Sequence, residues 1–329
     1  MKKVVKYILF PFVFIFGYLY FLISKKTSNL TFASFRFLFV TTNGRINDMM
    51  SQLISLFHPK NNSSQLNLSI LNYTAHDLEN ISAEIQKKGY YEFEQILPED
   101  LQDKLLDFAQ KTPLRVLDVQ AKGIQYLPNK RPIDFQEIIA PRYQFDQSDL
   151  VENEAIQKII FDPFFTELAA NYLNCEPILD LVTMWWSFPF QQKATSQAAQ
   201  MYHFDMDRFK FIKFFFYLTD VHTDNGPHCY IQNSHHRLPK SLREDRRITD
   251  EELKLVYPET SFKEFIGKKG TILAVDTRGL HKGKPLVKDA RLLFQIQFSN
   301  SLFGAPYLKT RILNNALKKP KRTFQLYQA

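Results

Sequence analysis

Cysteine is nearly absent from this chain: two occur in 329 residues, Cys175 and Cys229. That excludes a paired disulfide framework and fits a reducing compartment or indifference to redox. Cys229 reads as a small buried hydrophobe. Zinc-finger spacing is missing, as is an RNA-binding aromatic signature, so nucleic acid is not an expected partner. There is no internal repeat, and no small-x-small cleavage site follows the N-terminal apolar run. Negative charge is in deficit. The formal net charge is +8, which favours anionic partners such as a membrane surface or an acidic substrate.

What is abundant is apolar surface. Hydrophobic residues make up 45% of the chain and 31 are Phe, enough for a large core without disulfides. Positive charge gathers in three places. Lys2, Lys3, Lys6, Lys25, Lys26, Arg36 and Arg45 lie near the N-terminus. Arg237, Lys240, Arg243, Arg246 and Arg247 form a second group. Lys309, Arg311, Lys318, Lys319, Lys321 and Arg322 end the chain.

Tyr7 to Ile23 is an uncharged run broken only by Pro11 and Gly17. Extended back to Val4, it approaches the ~20 residues that a bilayer requires. Lys6 is placed to snorkel, and Tyr18 and Tyr20 suit the far interface. Residues 4–23 are therefore expected to be a transmembrane anchor of a single-pass protein. Residues 24–75 are expected to be a juxtamembrane segment and linker, with Leu30 to Val40 at the interface. A folded domain is expected over 76–310 and a basic tail over 311–329. Within the domain, a helix is predicted from Pro98 and another over Glu154 to Tyr172, kinked or divided at Pro163. β-rich runs follow at Ile178 to Phe188, Phe209 to Leu218, Thr271 to Val275 and Arg291 to Phe298. Helices first and many strands later predict an α+β fold around a β-sandwich or jelly roll.

The chemistry centres on Met201-Tyr202-His203-Phe204-Asp205. In an extended segment, residues i and i+2 share a face, so His203 and Asp205 aim together. An imidazole and a carboxylate are two members of the facial triad that holds non-haem Fe(II). His281, beyond the strand ending at Val275 and between Gly279 and Gly283, is the candidate third ligand. Arg291 lies ten residues further on, at the head of the next β-run. A guanidinium there suits the distal carboxylate of a dicarboxylic cosubstrate. Lys213 shares one strand face with Phe215 and Tyr217 and is a candidate partner for a carboxylate in the same cavity. His222, His228, His235 and His236 are rival ligands, read as loop or surface residues. Trp185 and Trp186 point to opposite strand faces, one toward the pocket and one toward the core.

From His203 to Arg237 the chain resembles the phytanoyl-CoA dioxygenase family. The resemblance is carried by His203-Phe204-Asp205, by Leu218-Thr219-Asp220-Val221, by Asn225-Gly226-Pro227 and by Asn233-Ser234-His235, where the family has Gly-Ser-His. Gly270 to Gly283 and Arg291 are similar to its second half. Gly89 onward is similar to its N-terminal strand and helix. The resemblance implies a double-stranded β-helix (cupin-like) core with flanking N-terminal helices. It implies His203, Asp205 and His281 as catalytic iron ligands and cofactor binding through Arg291; Lys213 is a softer cofactor-binding candidate that rests on strand alternation alone. Fe(II), 2-oxoglutarate and O2 are the implied cofactor and cosubstrates, and succinate and CO2 the coproducts. Related halogenases lack the carboxylate ligand, so Asp205 favours hydroxylation. The expected substrate is a small-molecule or lipid-linked compound, and the catalytic domain is expected on the cytoplasmic side. A zinc hydrolase on the same ligands, and a non-catalytic binding protein retaining the fold, are the rival readings.

Overall fold

The Phe-rich texture of the strands dictates a sheet covered on both faces. The computed structural model describes residues 3–60, 65–121, 123–190, 199–310 and 322–327. Its helices are α1 (Lys3–Ser24), α2 (Asn29–Thr42), α3 (Arg45–Phe57), α4 (Ala75–Lys88), α5 (Glu99–Lys111), α6 (Gln147–Glu152), α7 (Glu154–Ile160), α8 (Pro163–Leu173) and α9 (Asp250–Lys254). Its strands are β1 (Tyr90–Glu92), β2 (Arg115–Val116), β3 (Arg142–Gln144), β4 (Ile178–Ser187), β5 (Phe211–Tyr217), β6 (His228–Ile231), β7 (Phe262–Phe265), β8 (Ile272–Val275), β9 (His281–Gly283) and β10 (Arg291–Ser299).

Seven strands form one antiparallel sheet in the order β1-β8-β5-β10-β4-β3-β2, and three form a second in the order β7-β6-β9. The side-chain period of two sorts each strand. Ile212, Phe214 and Phe216 of β5 and Leu292, Phe294 and Ile296 of β10 face the helices. Phe165 of α8 meets Phe214 and Phe216 edge-on, at 5.1 and 5.3 Å between ring centroids. On the opposite face, Trp185, Phe215, Tyr217, Leu273, Val275 and Leu293 pack against Tyr230 and Phe265 of the smaller sheet. The result is a two-layer antiparallel sandwich with its helices outside one layer, an α+β arrangement.

The predicted division at Pro163 occurs where its chemistry requires it. Asp162 caps α8, accepting from the Phe164 N–H at 2.8 Å, and Pro163 takes the first helical position, which needs no N–H donor. Helix α5 buries Leu101, Leu105 and Ala109.

The N-terminal region packs on the sandwich. Phe14, Tyr18 and Phe21 of α1 join Phe35 of α2, Phe209 and Phe303 in one aromatic cluster. Phe35, within Leu30 to Val40, is wholly buried, so this segment contributes to the core. Arg36, on the outer side of α2, instead pairs with Asp245. Asn47 of α3 donates to the Phe209 carbonyl at 2.9 Å. The other side of α1 leaves Val5, Ile8, Leu9, Phe12, Ile15, Phe16, Leu19, Tyr20, Leu22 and Ile23 exposed. Among the described residues, one helix, over Val4–Ser24, is long and apolar enough to cross a membrane. Most of the expected tail, 311–321, lies outside the described residues, while Phe324, Leu326 and Tyr327 are buried beside β4.

Candidate metal centre

Tyr202 to Asp205 is extended without belonging to a long strand. His203 sits directly opposite His281, the two exchanging backbone hydrogen bonds at 3.0 and 2.8 Å. Asp205 N–H donates to the Thr277 carbonyl at 2.8 Å. This pairing places the two imidazoles 4.3 Å apart between centroids, and the i, i+2 spacing brings Asp205 to the same side. Asp205 Oδ1 lies 3.6 Å from His203 Nε2, and Oδ2 lies 3.5 Å from His281 Nε2. One donor atom from each residue falls within 4.8 Å of the others, a spacing that a single ion can span.

The rings are held the same way. His203 Nδ1 is 2.9 Å from the Met201 carbonyl, and His281 Nδ1 is 3.0 Å from the Gly279 carbonyl. A carbonyl only accepts, so each Nδ1 carries the proton and each Nε2 turns its lone pair toward the centre. Burial, then the charge of His281, pushes His203 down to about 3, and burial lowers His281 as well. Both rings are neutral at physiological pH, as metal ligation requires. Burial drives the Asp205 carboxyl upward, but the Lys213 ammonium outweighs it and holds the group well below the usual carboxylate range. Lys213 Nζ stands 2.7 Å from Asp205 Oδ2 and 3.5 Å from Asp207 Oδ2.

Arg291, the first residue of β10, is buried opposite Ser187 of β4. Its Nη2 reaches Ser187 Oγ at a weak 3.5 Å, its Nε has no partner, and no carboxylate of the described residues pairs with it. Burial pushes its pKa down to about 10. A Cβ added to Gly283, two residues after His281, would stand 3.7 Å from Arg291 Nη2, so the guanidinium lies beside the short strand that begins with His281. An orphaned interior guanidinium beside a two-His, one-carboxylate set fits a metal-bound dicarboxylate.

The sequence reading missed two neighbours. Arg142 of β3 lies in the same cross-sheet row as Ser187 and Arg291, with Cζ 4.2 Å over the Trp185 ring and an unpartnered, buried Nε. Nothing near it in sequence signals this, because the row exists only once three strands pair. His228 was expected on a turn or the surface; it begins β6, is buried, and its ring lies 5.6 Å from His281 and 4.8 Å from Phe215. The apolar run Cys229-Tyr230-Ile231 after the Gly226-Pro227 turn was the available signal. His235 is also buried, with Nε2 3.0 Å from the Gln86 carbonyl, whereas His222 and His236 are exposed. Trp185 faces the inner cluster and Trp186 the helix-covered core. Arg208 is structural: it pairs with the buried Asp180 at 2.7 Å.

The phytanoyl-CoA dioxygenase family profile matches residues 85–290. A search of curated proteins returns no match. Among solved structures, the chain is similar to SnoN, the non-haem alpha-ketoglutarate-dependent epimerase of nogalamycin biosynthesis, at 14% identity and a TM-score of 0.50, over 68% of this chain and 84% of that one. That likeness is one of fold. EctD from S. alaskensis, solved with bound Fe, matches at 15% identity and a TM-score of 0.48, over 74% of this chain and 82% of its own. HygX from Streptomyces hygroscopicus, solved with nickel and 2-oxoglutarate, matches at 11% identity and a TM-score of 0.48, over 77% and 96%.

Proposed function

The chain belongs to the phytanoyl-CoA dioxygenase family, and from that premise we propose that it is an Fe(II)- and 2-oxoglutarate-dependent dioxygenase that hydroxylates a small or lipid-linked organic substrate. The observation that carries this reading is the convergence of His203, Asp205 and His281 beside a buried guanidinium that lacks a counter-ion. Bound iron with 2-oxoglutarate and O2 supplies the oxidation that turns C–H into C–OH while the cosubstrate becomes succinate and CO2.

The chain's own residues do the rest. His203 and His281 offer Nε2 lone pairs and are kept from rotating by the Met201 and Gly279 carbonyls. Asp205 supplies the carboxylate, and Lys213 keeps it ionised. Arg291 takes the distal carboxylate of 2-oxoglutarate as a planar fork. Lys213 is the second residue assigned to the cosubstrate, through the ammonium donors that Asp205 leaves free. Trp185, Phe215 and Leu293 line the double-stranded β-helix interior and keep water from the reacting centre. A zinc hydrolase on the same ligands has no use for an uncompensated guanidinium at Arg291.

The exposed apolar side of α1, next to Lys6, Lys25 and Lys26, supports attachment of the enzyme to a membrane; the catalytic domain is placed on the cytoplasmic side because Fe(II) and 2-oxoglutarate are most available there. The full chain should sediment with membranes and resist carbonate extraction; complete solubility overturns this part.

For the chemistry, the full chain is purified anaerobically and titrated with Fe(II) and 2-oxoglutarate, and succinate release is followed after O2 is admitted. Both should bind, and Asp205→Ala should remove metal binding and succinate release. Zinc binding without affinity for 2-oxoglutarate would overturn the reading.

A further inference from the structure

We propose that Arg247 anchors an oxyanion, a carboxylate or phosphate, carried by the substrate. The proposal rests on the dioxygenase reading and adds the substrate's chemical class. Arg237 to Arg247 holds four guanidinium groups, and three are committed. Arg237 pairs with Asp48 at 2.9 Å. Arg243 donates to the Leu238 carbonyl at 2.9 Å. Arg246 binds Glu252 through both terminal nitrogens, at 3.0 and 2.7 Å, and Glu244 at 3.2 Å. Asp245, the carboxylate nearest Arg247 in sequence, is taken by two bonds from Arg36, at 2.7 and 2.5 Å.

Arg247 alone makes no side-chain hydrogen bond to any described residue, and its Nη1 is buried. Its place explains why this matters. Ile248 pairs with Tyr202, donating to its carbonyl at 2.9 Å, so Arg247 stands alongside the segment that carries His203 and Asp205. Its charge acts on Asp205, His203 and His281. It makes no hydrogen bond to Asp205, whose Oδ2 is held by Lys213 at 2.7 Å.

Cofactor loading does not relieve it. Fe(II) brings two positive charges and 2-oxoglutarate two negative ones, so together they leave the charge of Arg247 unbalanced. Arg247 is half-buried with Nη1 enclosed, and a guanidinium partly withdrawn from water without a counter-ion is costly. An entering oxyanion removes that cost, and the guanidinium fork matches carboxylate and phosphate geometry. Arg291, beside Ser187 and Gly283, likewise has no carboxylate partner among the described residues and is assigned to the cosubstrate. Arg291 and Arg247, neither paired with a carboxylate of the described residues, thus divide between two anions.

The test uses the full chain loaded with Fe(II) and saturating 2-oxoglutarate under anaerobic conditions, titrated calorimetrically with hexyl phosphate, hexanoate and hexanol. At least one of the two anions should bind and hexanol should not. Arg247→Met should weaken the anion tenfold or more, Arg247→Lys should retain part of the affinity, and affinity for 2-oxoglutarate should stay within twofold. Equal anion binding by wild type and Arg247→Met overturns the proposal. So does competition between anion and 2-oxoglutarate, which would put the anion on Arg291, and so does failure of both anions to bind. Repeating the titration with 2-oxoglutarate omitted keeps the Arg247 comparison meaningful even where the cosubstrate itself fails to bind, the result that defeats the dioxygenase reading instead.

Discussion

Replacing Arg291 by Met should move stability and cosubstrate affinity in opposite directions. Arg291 is 6% exposed and its pKa is pushed down to about 10 from 12.5, which corresponds to a penalty on the order of 3 kcal/mol on the charged form. Its one side-chain hydrogen bond, to Ser187 at 3.5 Å, returns little of that. Methionine keeps most of the apolar stem between Ser187 and Gly283 and removes the charge. The protein without metal or cosubstrate should therefore gain roughly 1–3 kcal/mol, the part of the burial penalty that the weak Ser187 contact leaves unreturned. In the loaded protein the same change deletes two charge-assisted bonds worth about 1.5–3 kcal/mol each. The affinity for 2-oxoglutarate should fall by about 10²–10⁴-fold, with metal affinity nearly constant. Urea unfolding of the unloaded protein gives the first quantity and calorimetric titration the second. Loss of stability together with unchanged cosubstrate affinity would refute the reasoning, because Arg291 would then be a structural member of the sheet.

Lys213→Met leaves the Asp205 carboxylate buried without its ammonium; the metal-free protein should lose about 3–5 kcal/mol, and added Fe(II) or Mn(II) should raise the melting temperature more in the variant than in wild type. His235 is held down to about 4 by burial. Its unfolded counterpart binds a proton first as pH falls, so its stabilising contribution is complete above pH 6.5 and is lost toward pH 4. His235→Gln should flatten that acid limb by up to about 3 kcal/mol in urea titrations across that range; an unchanged slope places the titration elsewhere. Gly279→Ala sets a Cβ 2.1 Å from the Tyr230 hydroxyl, which donates to the Asp276 carbonyl at 3.0 Å. The turn before His281 must shift, so metal affinity should drop at least tenfold while circular dichroism keeps its strand signal; unaltered metal affinity would show that the turn absorbs the methyl group.

Period and chemistry made much of the scaffold readable in advance. The β5 run Phe211–Tyr217 is apolar on both faces because both are covered, and the positions of Lys213 and Phe215 on its inner face follow from alternation alone. Asp162 and Pro163 carry a helix start in their side chains. Helices α2 and α3 were harder. Their sequences read as apolar or polar segments, and only contact with Phe209 and Phe303 shows which face is interior. His228 was misread because a short strand in a three-stranded layer has too few residues to display a period.

The sequence by itself determined local facts about this protein: strand faces, helix starts, an apolar N-terminal helix, and the common direction of His203 and Asp205. These depend on residues a few positions apart, where backbone geometry leaves few choices. The tertiary structure decided the rest. His281 meets His203 because their backbones exchange two hydrogen bonds across 78 positions of chain. Arg142, Ser187 and Arg291 share a row because three strands pair in register. Arg247 lacks a partner because Asp245 is drawn to Arg36, more than two hundred residues earlier. Pairing, burial and charge compensation are properties of which distant segments become neighbours, and no local pattern encodes them.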